Sequence, residues 1–516
     1  MNESLHLRRN AIGLIIISMI SQLLGFLREV ITAYYFGVSY AIDAYQVAEV
    51  IPLIITQIFV VAFPLALVPM VTSNKYRRAE DYDKSDIVST SFIGISFITL
   101  IITILMIFFS KTFVNIIAPG LGDEAKQIAE KLTRILAPNT FLLTIFALFN
   151  AVLSSHKKFI FPAACGLLLN IFIISGMIMF GKVYGIDAIA VGSILASVIM
   201  FIAILFYSSL SCGIRIRVAN FRFSLLKRVI TGIFPVIIGT GILSINLIVT
   251  RNIASLIGIG AIATLSYAYR LINMPINIFV ASVSKPVFTD LSICASEGRT
   301  TELFEKFRKS LRLILAVTIP ISMFLIALRL PITSFLFERG QFNNEAVHAT
   351  SICVALYSIG IFAIAAGTVM PMLFYSYNMP SIPLKVNIML FTLNILLSYS
   401  LSKIFGYPGI AIGSSLAVIA TLPLWYYEIR RGFTRSFFID DFTFTVKNVI
   451  ISMIAGVCIG IVSNINYIRN LHSFFIIIIG GVIGLSVIYC VGHRFYEHEF
   501  GFTCRDIFFR VLQRRR

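Results

Sequence analysis

The sequence has few charged residues. Only 13% of its 516 residues are Asp, Glu, Lys or Arg, whereas 58% are hydrophobic. A soluble domain of this length does not need so much apolar surface, so the composition excludes a soluble globular protein. We therefore predict a protein that crosses a membrane many times.

Signatures of a reactive site are also missing. The sequence has no Gly-x-Ser-x-Gly elbow, no Walker phosphate loop and no His-Glu-x-x-His motif. Its seven cysteines form no Cys-x-x-Cys pair and have no metal-ligand spacing, so we expect them to be small apolar core residues. The chain is accordingly predicted not to be an enzyme and to hold no cofactor or metal.

What the chain has instead is a series of apolar runs, each long enough to cross a hydrocarbon core of ~30 Å. These runs predict an all-α polytopic membrane protein with about fourteen spans. The spans lie at 11–36, 44–73, 86–110, 132–154, 159–181, 187–211, 229–251, 262–289, 313–336, 346–374, 384–402, 408–428, 446–464 and 472–492.

The basic residues indicate how these spans are oriented. When the 42 Lys and Arg are placed on alternating sides of the fourteen spans, 29 lie on one side and 9 on the other. Cytoplasmic loops carry the excess of positive charge, so both termini are predicted to be cytoplasmic. The net charge of +18 is thereby attributed to membrane orientation and anionic lipids rather than to nucleic acid.

The longest basic break, SCGIRIRVANFRFSLLKR at 211–228, divides the spans into two groups of six. It alternates aromatic and basic residues, which favours a position along the cytoplasmic surface. An ungapped offset of 223 aligns 21–52 with 244–275 and places Arg28 on Arg251, which favours two lobes related by a pseudo-twofold axis along the membrane normal. The predicted regions are an N-terminal lobe at 1–211, a linker at 212–228, a C-terminal lobe at 229–430, two further helices at 431–493 and a basic cytoplasmic tail at 494–516.

Polar residues recur at three- and four-residue steps in three of the spans, and each set therefore forms a stripe on one helix face. Lipid would reject such stripes, so they predict a shared wet interior surface. The stripes consist of Ser18, Ser21, Gln22, Gly25, Arg28, Glu29 and Thr32 in the first span, Asp43, Gln46, Glu49, Thr56 and Gln57 in the second, with a gap near Leu53, and Ser266, Arg270, Asn273 and Asn277 in the eighth.

Two arginines of these stripes, Arg28 and Arg270, lie ~13 to 15 Å from the predicted outer turns, near the membrane midplane. Two central arginines with polar neighbours suggest an anionic cargo. An internal clasp between Arg28 and a nearby acid is the alternative. Arg251 and Lys285 lie nearer the ends of their spans, where anchoring at the membrane interface is favoured. Asp43 is open to three interpretations: a helix cap, a gate partner or a binding residue.

The segment SQLLGFLREVITAYYFGVSYAIDAYQVAEVIP at 21–52 resembles the opening of the MurJ/MviN lipid II flippase family. Further segments resemble signatures of the same family in the same order, namely IIAPGLG (116–122), NAVLSSHKKFIFPAACGLLLNI (150–171), YAYRLINMP (267–275), LFERGQF (336–342) and FYSYNMPSIPLKV (374–386).

This resemblance implies a fourteen-helix member of the multidrug/oligosaccharidyl-lipid/polysaccharide exporter superfamily, in which two six-helix lobes form a central cavity. It implies that the chain moves lipid II, an undecaprenyl-diphosphate-linked peptidoglycan precursor, to the outer leaflet of the bacterial cytoplasmic membrane by alternating access. The family serves cell-wall biogenesis and cell shape, so membrane lipids and cell-wall synthesis proteins are implied as partners. By position, Arg28 and Arg270 match arginines that bind the diphosphate, Glu29 and Asp43 match family acids, and the last two helices form a groove for the lipid tail.

The sequence departs from the family at several cavity positions. Family members carry arginines at the positions of Gln22, Thr56 and Gln57, and acids at the positions of Val61 and Asn273. The headgroup therefore stays open between lipid II and another polyprenyl-diphosphate oligosaccharide. Two other classes also stay open. One is a cation-coupled multidrug exporter that uses Asp43 and Glu49, and the other is a non-transporting scaffold for envelope synthesis. Any transport would draw on membrane potential, a monovalent cation or downstream consumption.

Overall fold

The computed structural model describes residues 2–72, 84–213, 221–377, 379–432, 438–463, 465 and 472–500. Helix is the only regular secondary structure within these residues. The helices described are α1 (Asn2–Phe36), α2 (Tyr40–Thr72), α3 (Lys84–Phe108), α4 (Ser110–Ile117), α5 (Asp123–Leu136), α6 (Pro138–Ser155), α7 (Ile160–Tyr184), α8 (Asp187–Cys212), α9 (Phe223–Ser255), α10 (Ala261–Ser296), α11 (Thr300–Ala327), α12 (Arg329–Phe337), α13 (Asn344–Ser358), α14 (Ile361–Ser376), α15 (Ser381–Phe405), α16 (Tyr407–Gly432), α17 (Phe438–Ser463) and α18 (Ser473–Phe500).

These helices agree with the predicted spans. Among the described residues, eleven helical stretches are long and apolar enough to cross a membrane, and α13 and α14 form a twelfth if a bend of 42° is counted within one span. The predicted seventh and eighth spans coincide with α9 and α10, which have 33 and 36 residues. The prediction of an all-α polytopic membrane protein is thereby confirmed, and about fourteen crossings are consistent with the structure.

The chain divides into two compact units, one of residues 1–263 with 339–342 and the other of residues 264–338 with 343–516. In the first unit, α2 packs against α5, α6 and α9, and α7 packs against α1 and α8. By packing, α9 belongs to this unit, although the predicted C-terminal lobe begins at residue 229. The predicted regions follow sequence symmetry rather than packing, and their boundaries stay a prediction.

The apolar core of the first unit lies where α2, α3, α6 and α9 meet. Phe59 and Phe63 of α2 stack with their ring centroids 4.9 Å apart, and both belong to this core. Gly94 of α3 permits a close approach of α9, because a Cβ there would lie 2.2 Å from a methyl group of Leu226. The half of α2 that follows Pro52 is therefore fixed mainly by apolar packing, and the half that precedes it carries Asp43, Gln46 and Glu49.

In the second unit, α11 and α17 are joined by a polar seam. Asp441 of α17 is 3% exposed and accepts hydrogen bonds from Nε of Arg308 at 2.9 Å and Nε of Arg312 at 2.6 Å. Two turns further along α17, the Asn448 amide donates to the Leu315 carbonyl at 2.8 Å. These bonds set the register of α17 on α11. The predicted lipid-tail groove at 431–493 stays a prediction.

The predicted linker and tail are described only in part. Helix α9 begins at Phe223, so the last six residues of the linker start a helix. Helix α18 continues to Phe500, seven residues past the predicted end of the 431–493 region. The remaining linker residues 214–220 and the tail residues 501–516 lie outside the described residues.

Candidate functional site

The polar stripe of α1 is divided between a buried and an exposed part. Glu29 and Thr32 are each 6% exposed, and the Thr32 hydroxyl donates to the Arg28 carbonyl at 2.7 Å. On the facing helix α7, the Asn170 amide donates to the Ser21 carbonyl at 3.5 Å. Gln22 is exposed. The polar stripe of α1 thus contacts α7 along part of its length, which the period of the stripe alone did not reveal.

Arg28 and Glu29 form an ion pair although they are neighbours in the sequence. Nη2 and Nε of Arg28 both donate to Oε1 of Glu29, at 2.9 and 3.2 Å. The Glu29 side chain is 8% exposed and the Arg28 side chain is 18% exposed. The predicted clasp therefore exists, and it leaves part of the guanidinium accessible. A charge-assisted pair of this kind is stronger than a hydrogen bond between neutral groups.

Asp43 is a helix cap. Its side chain projects from α2, is 1% exposed, and accepts backbone N–H bonds from Gly260 at 2.5 Å and from Ala263 at 2.7 Å. These donors belong to the turn before α10 and to its first turn, where N–H groups have no partner within the helix. The carboxylate also opposes the positive end of the helix dipole. Of the three interpretations of Asp43, the structure therefore shows the helix cap.

Tyr45, Gln46 and Glu49 of α2 surround Arg251 of α9. Tyr45 interacts electrostatically with Glu49, Arg28 and Arg251. Nη1 of Arg251 donates to Oε1 of Gln46 at 3.3 Å. We use the name polar cluster for the residues brought together here: Arg28, Glu29, Asp43, Tyr45, Gln46, Glu49 and Arg251.

Whether Arg251 anchors at the membrane interface or serves as a cavity or gating residue stays a prediction, but its side chain is covered by protein. Arg251 is 7% exposed, because α9 continues to Ser255 and α2 covers the side chain. The sequence held one sign that Arg251 belongs with the polar residues: at the offset of 223 it aligns with Arg28, which lies on a polar stripe. Tyr45 was missed because an aromatic residue in an apolar span attracts no attention, although it lies one turn before Glu49 and on the same face.

The remaining predicted residues lie outside the polar cluster. Thr56 is half-buried, and its hydroxyl has no hydrogen-bond partner among the described residues, whereas Gln57 is exposed. In the second unit, Arg270 is half-buried, the Asn273 amide donates to the Tyr269 carbonyl of its own helix at 2.9 Å, and Asn277 is exposed. The Lys285 side chain lies outside what the structure describes.

The segment Arg339–Phe342 docks on the turn between α1 and α2. In the sequence, this turn lies between Glu29 and Asp43 of the polar cluster. The backbone N–H of Gln341 donates to the Tyr34 carbonyl at 2.9 Å. Glycines permit this contact on both sides: a Cβ on Gly37 would lie 2.3 Å from the Gln341 carbonyl oxygen, and a Cβ on Gly340 would lie 2.3 Å from the Tyr34 carbonyl oxygen. Both glycines also have positive φ, at +56° and +61°.

The chemistry of the polar cluster is that of charge recognition. It holds two arginines and three carboxylates, and within the described residues no group of His, Cys, Asp or Glu is arranged to hold a metal ion. Such a cluster is suited to binding anions, because its arginines can form charge-assisted hydrogen bonds with carboxylate or phosphate oxygens.

Comparison with known proteins gives a consistent result. The family described as "Lipid II flippase MurJ" matches residues 32–480. The chain is 29% identical to a probable lipid II flippase MurJ of Buchnera aphidicola subsp. Schizaphis graminum over 454 residues, covering 86% of this chain and 88% of the relative. It is 24% identical to a probable lipid II flippase MurJ of Thermotoga maritima over 465 residues, covering 89% and 91%.

Solved structures of similar fold point to the same family. A lipid II flippase MurJ in an inward closed conformation matches with a TM-score of 0.82 and 25% identity, covering 94% of this chain and 99% of the other. An inward-facing multidrug resistance MATE transporter matches with a TM-score of 0.69 and 15% identity over 82% of this chain and 98% of the other, which shows likeness of fold alone. With the polar cluster and the helical fold in place, the match over residues 32–480 shows that the chain belongs to the MurJ family of lipid II flippases.

Proposed function

We propose that this multi-pass membrane protein is a lipid II flippase of the bacterial cytoplasmic membrane, which carries the lipid-linked precursor from the inner to the outer leaflet by alternating access. The observation that carries the proposal is the family match over residues 32–480. Both termini are proposed to be cytoplasmic, and the protein is proposed to act as a transporter without catalytic chemistry or a cofactor. Membrane lipids and cell-wall synthesis proteins are its proposed partners.

Arg28 is the residue of the polar cluster best suited to bind the diphosphate. Its side chain is 18% exposed, so part of the guanidinium can bind a second oxyanion while the buried Glu29 carboxylate keeps its cation. Arginine presents a planar fork of donors that matches phosphate oxygens, and charge-assisted bonds of this type are the stronger ones. Glu29 then holds the arginine in position while no substrate is bound.

Arg270 in the second unit is proposed as the other diphosphate ligand, and it is tested separately. It is half-buried on α10, with Asn273 and Asn277 at the following turns of the same helix. The predicted roles of Gln22, Glu49, Thr56, Gln57 and the two asparagines in lining a cavity also stay proposals. Coupling of transport to membrane potential or to a monovalent cation is likewise a proposal.

The contacts of Asp43 bear on the exporter alternative. A cation-coupled multidrug exporter would use Asp43 as an ion site, yet both of its carboxylate oxygens accept backbone N–H bonds. An acid that already caps a helix is a poor carrier, because releasing its donors leaves buried N–H groups without partners. This favours lipid II as cargo over a coupled drug.

The proposal is tested in a strain depleted of its own flippase. Arg28→Ala and Arg270→Ala should each abolish growth on depletion, while lipid II accumulates and the variant stays at normal level in the membrane. Arg134→Ala is the matched control, because Arg134 falls within a predicted span but has a side chain that is 55% exposed, so its loss should be tolerated. Normal growth of either variant would remove that arginine from the diphosphate site. Failure of the unaltered protein to complement would contradict lipid II as the cargo.

A further inference from the structure

Arg251 is a buried arginine for which the proposed function has no use. It is 7% exposed, so in this structure it is much less accessible to a substrate than Arg28. Its single hydrogen bond among the described residues joins Nη1 to Gln46 at 3.3 Å, and its Nε has no partner there. A guanidinium carries five N–H donors, so hydrogen bonding alone does not explain why it is buried.

The charges around Arg251 supply the explanation. Gln46, which accepts the hydrogen bond of Arg251, lies three residues from Asp43 and three from Glu49 on the same face of α2, so both carboxylates act on the guanidinium. Arg251 is in turn the cation that acts on Asp43, whose carboxylate is 1% exposed. A carboxylate buried to this extent is costly unless a positive charge compensates it, and two backbone N–H donors compensate it only in part.

We propose that Arg251 is a positioning residue: its buried charge balances Asp43 and Glu49 and so holds Asp43 in place as the cap of α10. The guanidinium acts through Asp43 on the backbone of residues 260–263 and contacts no cargo. This inference goes beyond the proposed function and does not depend on the identity of the cargo.

Charge counting gives the proposal its test. The polar cluster has two arginines and three acids, a formal charge of −1. Arg251→Gln lowers that charge by one, and Asp43→Asn or Glu49→Gln in the same chain restores it. Arg251→Lys leaves the charge unchanged. An asparagine at position 43 can still accept one of the two backbone N–H bonds, because Asn is itself a good helix cap.

The first measurement is hydrogen exchange of the full-length protein in lipid nanodiscs. Arg251→Gln should make the amides of 260–263 exchange roughly tenfold faster, because the cap opens more often. Arg251→Lys should keep most of the protection. Arg222→Gln is the matched control: Arg222 precedes α9, has a side chain that is 51% exposed, and lies 3.8 Å from Asp86, so its loss should leave 260–263 unchanged.

The second measurement is growth on depletion of the native flippase. Arg251→Gln should impair growth, and adding Asp43→Asn should restore most of it. Unchanged exchange at 260–263 in Arg251→Gln would overturn the proposal, as would restoration by Glu49→Gln with none by Asp43→Asn. Because hydrogen exchange needs no substrate, its result stands even if the proposed cargo is wrong.

Discussion

At the scale of single residues, two buried acids, Asp43 and Asp441, accept bonds from donors that belong to another element of the fold. Asp43 receives two backbone N–H groups, and Asp441 receives the Nε atoms of Arg308 and Arg312. In both cases the carboxylate joins two elements that are distant in sequence. Removing such an acid should therefore loosen a specific helix contact as well as lower the overall stability.

Asp441→Ala tests this expectation in the second unit. The change leaves two guanidiniums facing each other at the seam between α11 and α17, and breaking a buried pair in this way costs about 3 kcal/mol. We expect a melting temperature several degrees lower in detergent. Asp290→Ala is the control, because Asp290 is exposed and should melt like the unaltered protein. Equal melting temperatures for the two variants would contradict a structural role for the seam.

The sequence was informative for residues whose polarity conflicts with an apolar span. Arg28, Glu29, Asp43 and Glu49 were predicted for that reason. Arg251 was placed at the interface because its depth was judged from the predicted span end, and the helix extends further. Contacts such as that of Asp43 with residues 260–263 join positions more than two hundred residues apart, which periodicity does not encode.

At the scale of elements, the segment 339–342 shows what hydropathy cannot predict. Hydropathy located the spans well, because each must be long and apolar to cross lipid. The loop between α12 and α13 carries no such constraint, yet it docks on the α1–α2 turn through Gly37 and Gly340. Only the fitting of two backbones, visible in the structure, identifies these glycines as contact residues.

Gly340→Ala should displace this segment. The new Cβ would lie 2.3 Å from the Tyr34 carbonyl oxygen and 2.7 Å from the Tyr34 ring, so the hydrogen bond from Gln341 cannot persist. We expect faster hydrogen exchange at Gln341 and faster proteolysis within 338–343. Gly37→Ala should act likewise from the opposite side.

Gly185→Ala is the matched control for this pair. Gly185 has the same φ of +56° as Gly37, but no atom lies within 4 Å of its added Cβ. It should show only the backbone strain of an alanine at positive φ, roughly 1 kcal/mol, and no change at Gln341. If all three variants exchange alike at Gln341, backbone strain rather than the docked contact explains the effect.

At the scale of the whole molecule, the alternation of basic and nearly neutral loops predicts the orientation. A bias of 29 to 9 over fourteen spans is consistent only with an even number of crossings, since an error of one span would mix the two sides. The helices described by the structure are consistent with that number. Orientation itself depends on the membrane and must be measured in cells.

Cysteine labelling makes that measurement. Gln127 of α5 is exposed on the predicted outer side, and Ser296 at the end of α10 is exposed on the predicted cytoplasmic side. In intact cells stripped of their outer barrier, a membrane-impermeant maleimide should label Gln127→Cys above the background of the parent chain and leave Ser296→Cys unlabelled until the cells are lysed. The reverse pattern would invert the protein in the membrane and place both termini outside. Labelling of both variants in intact cells would mean an even number of crossings between them, whereas the fourteen-span arrangement that follows from the charge bias places five crossings there.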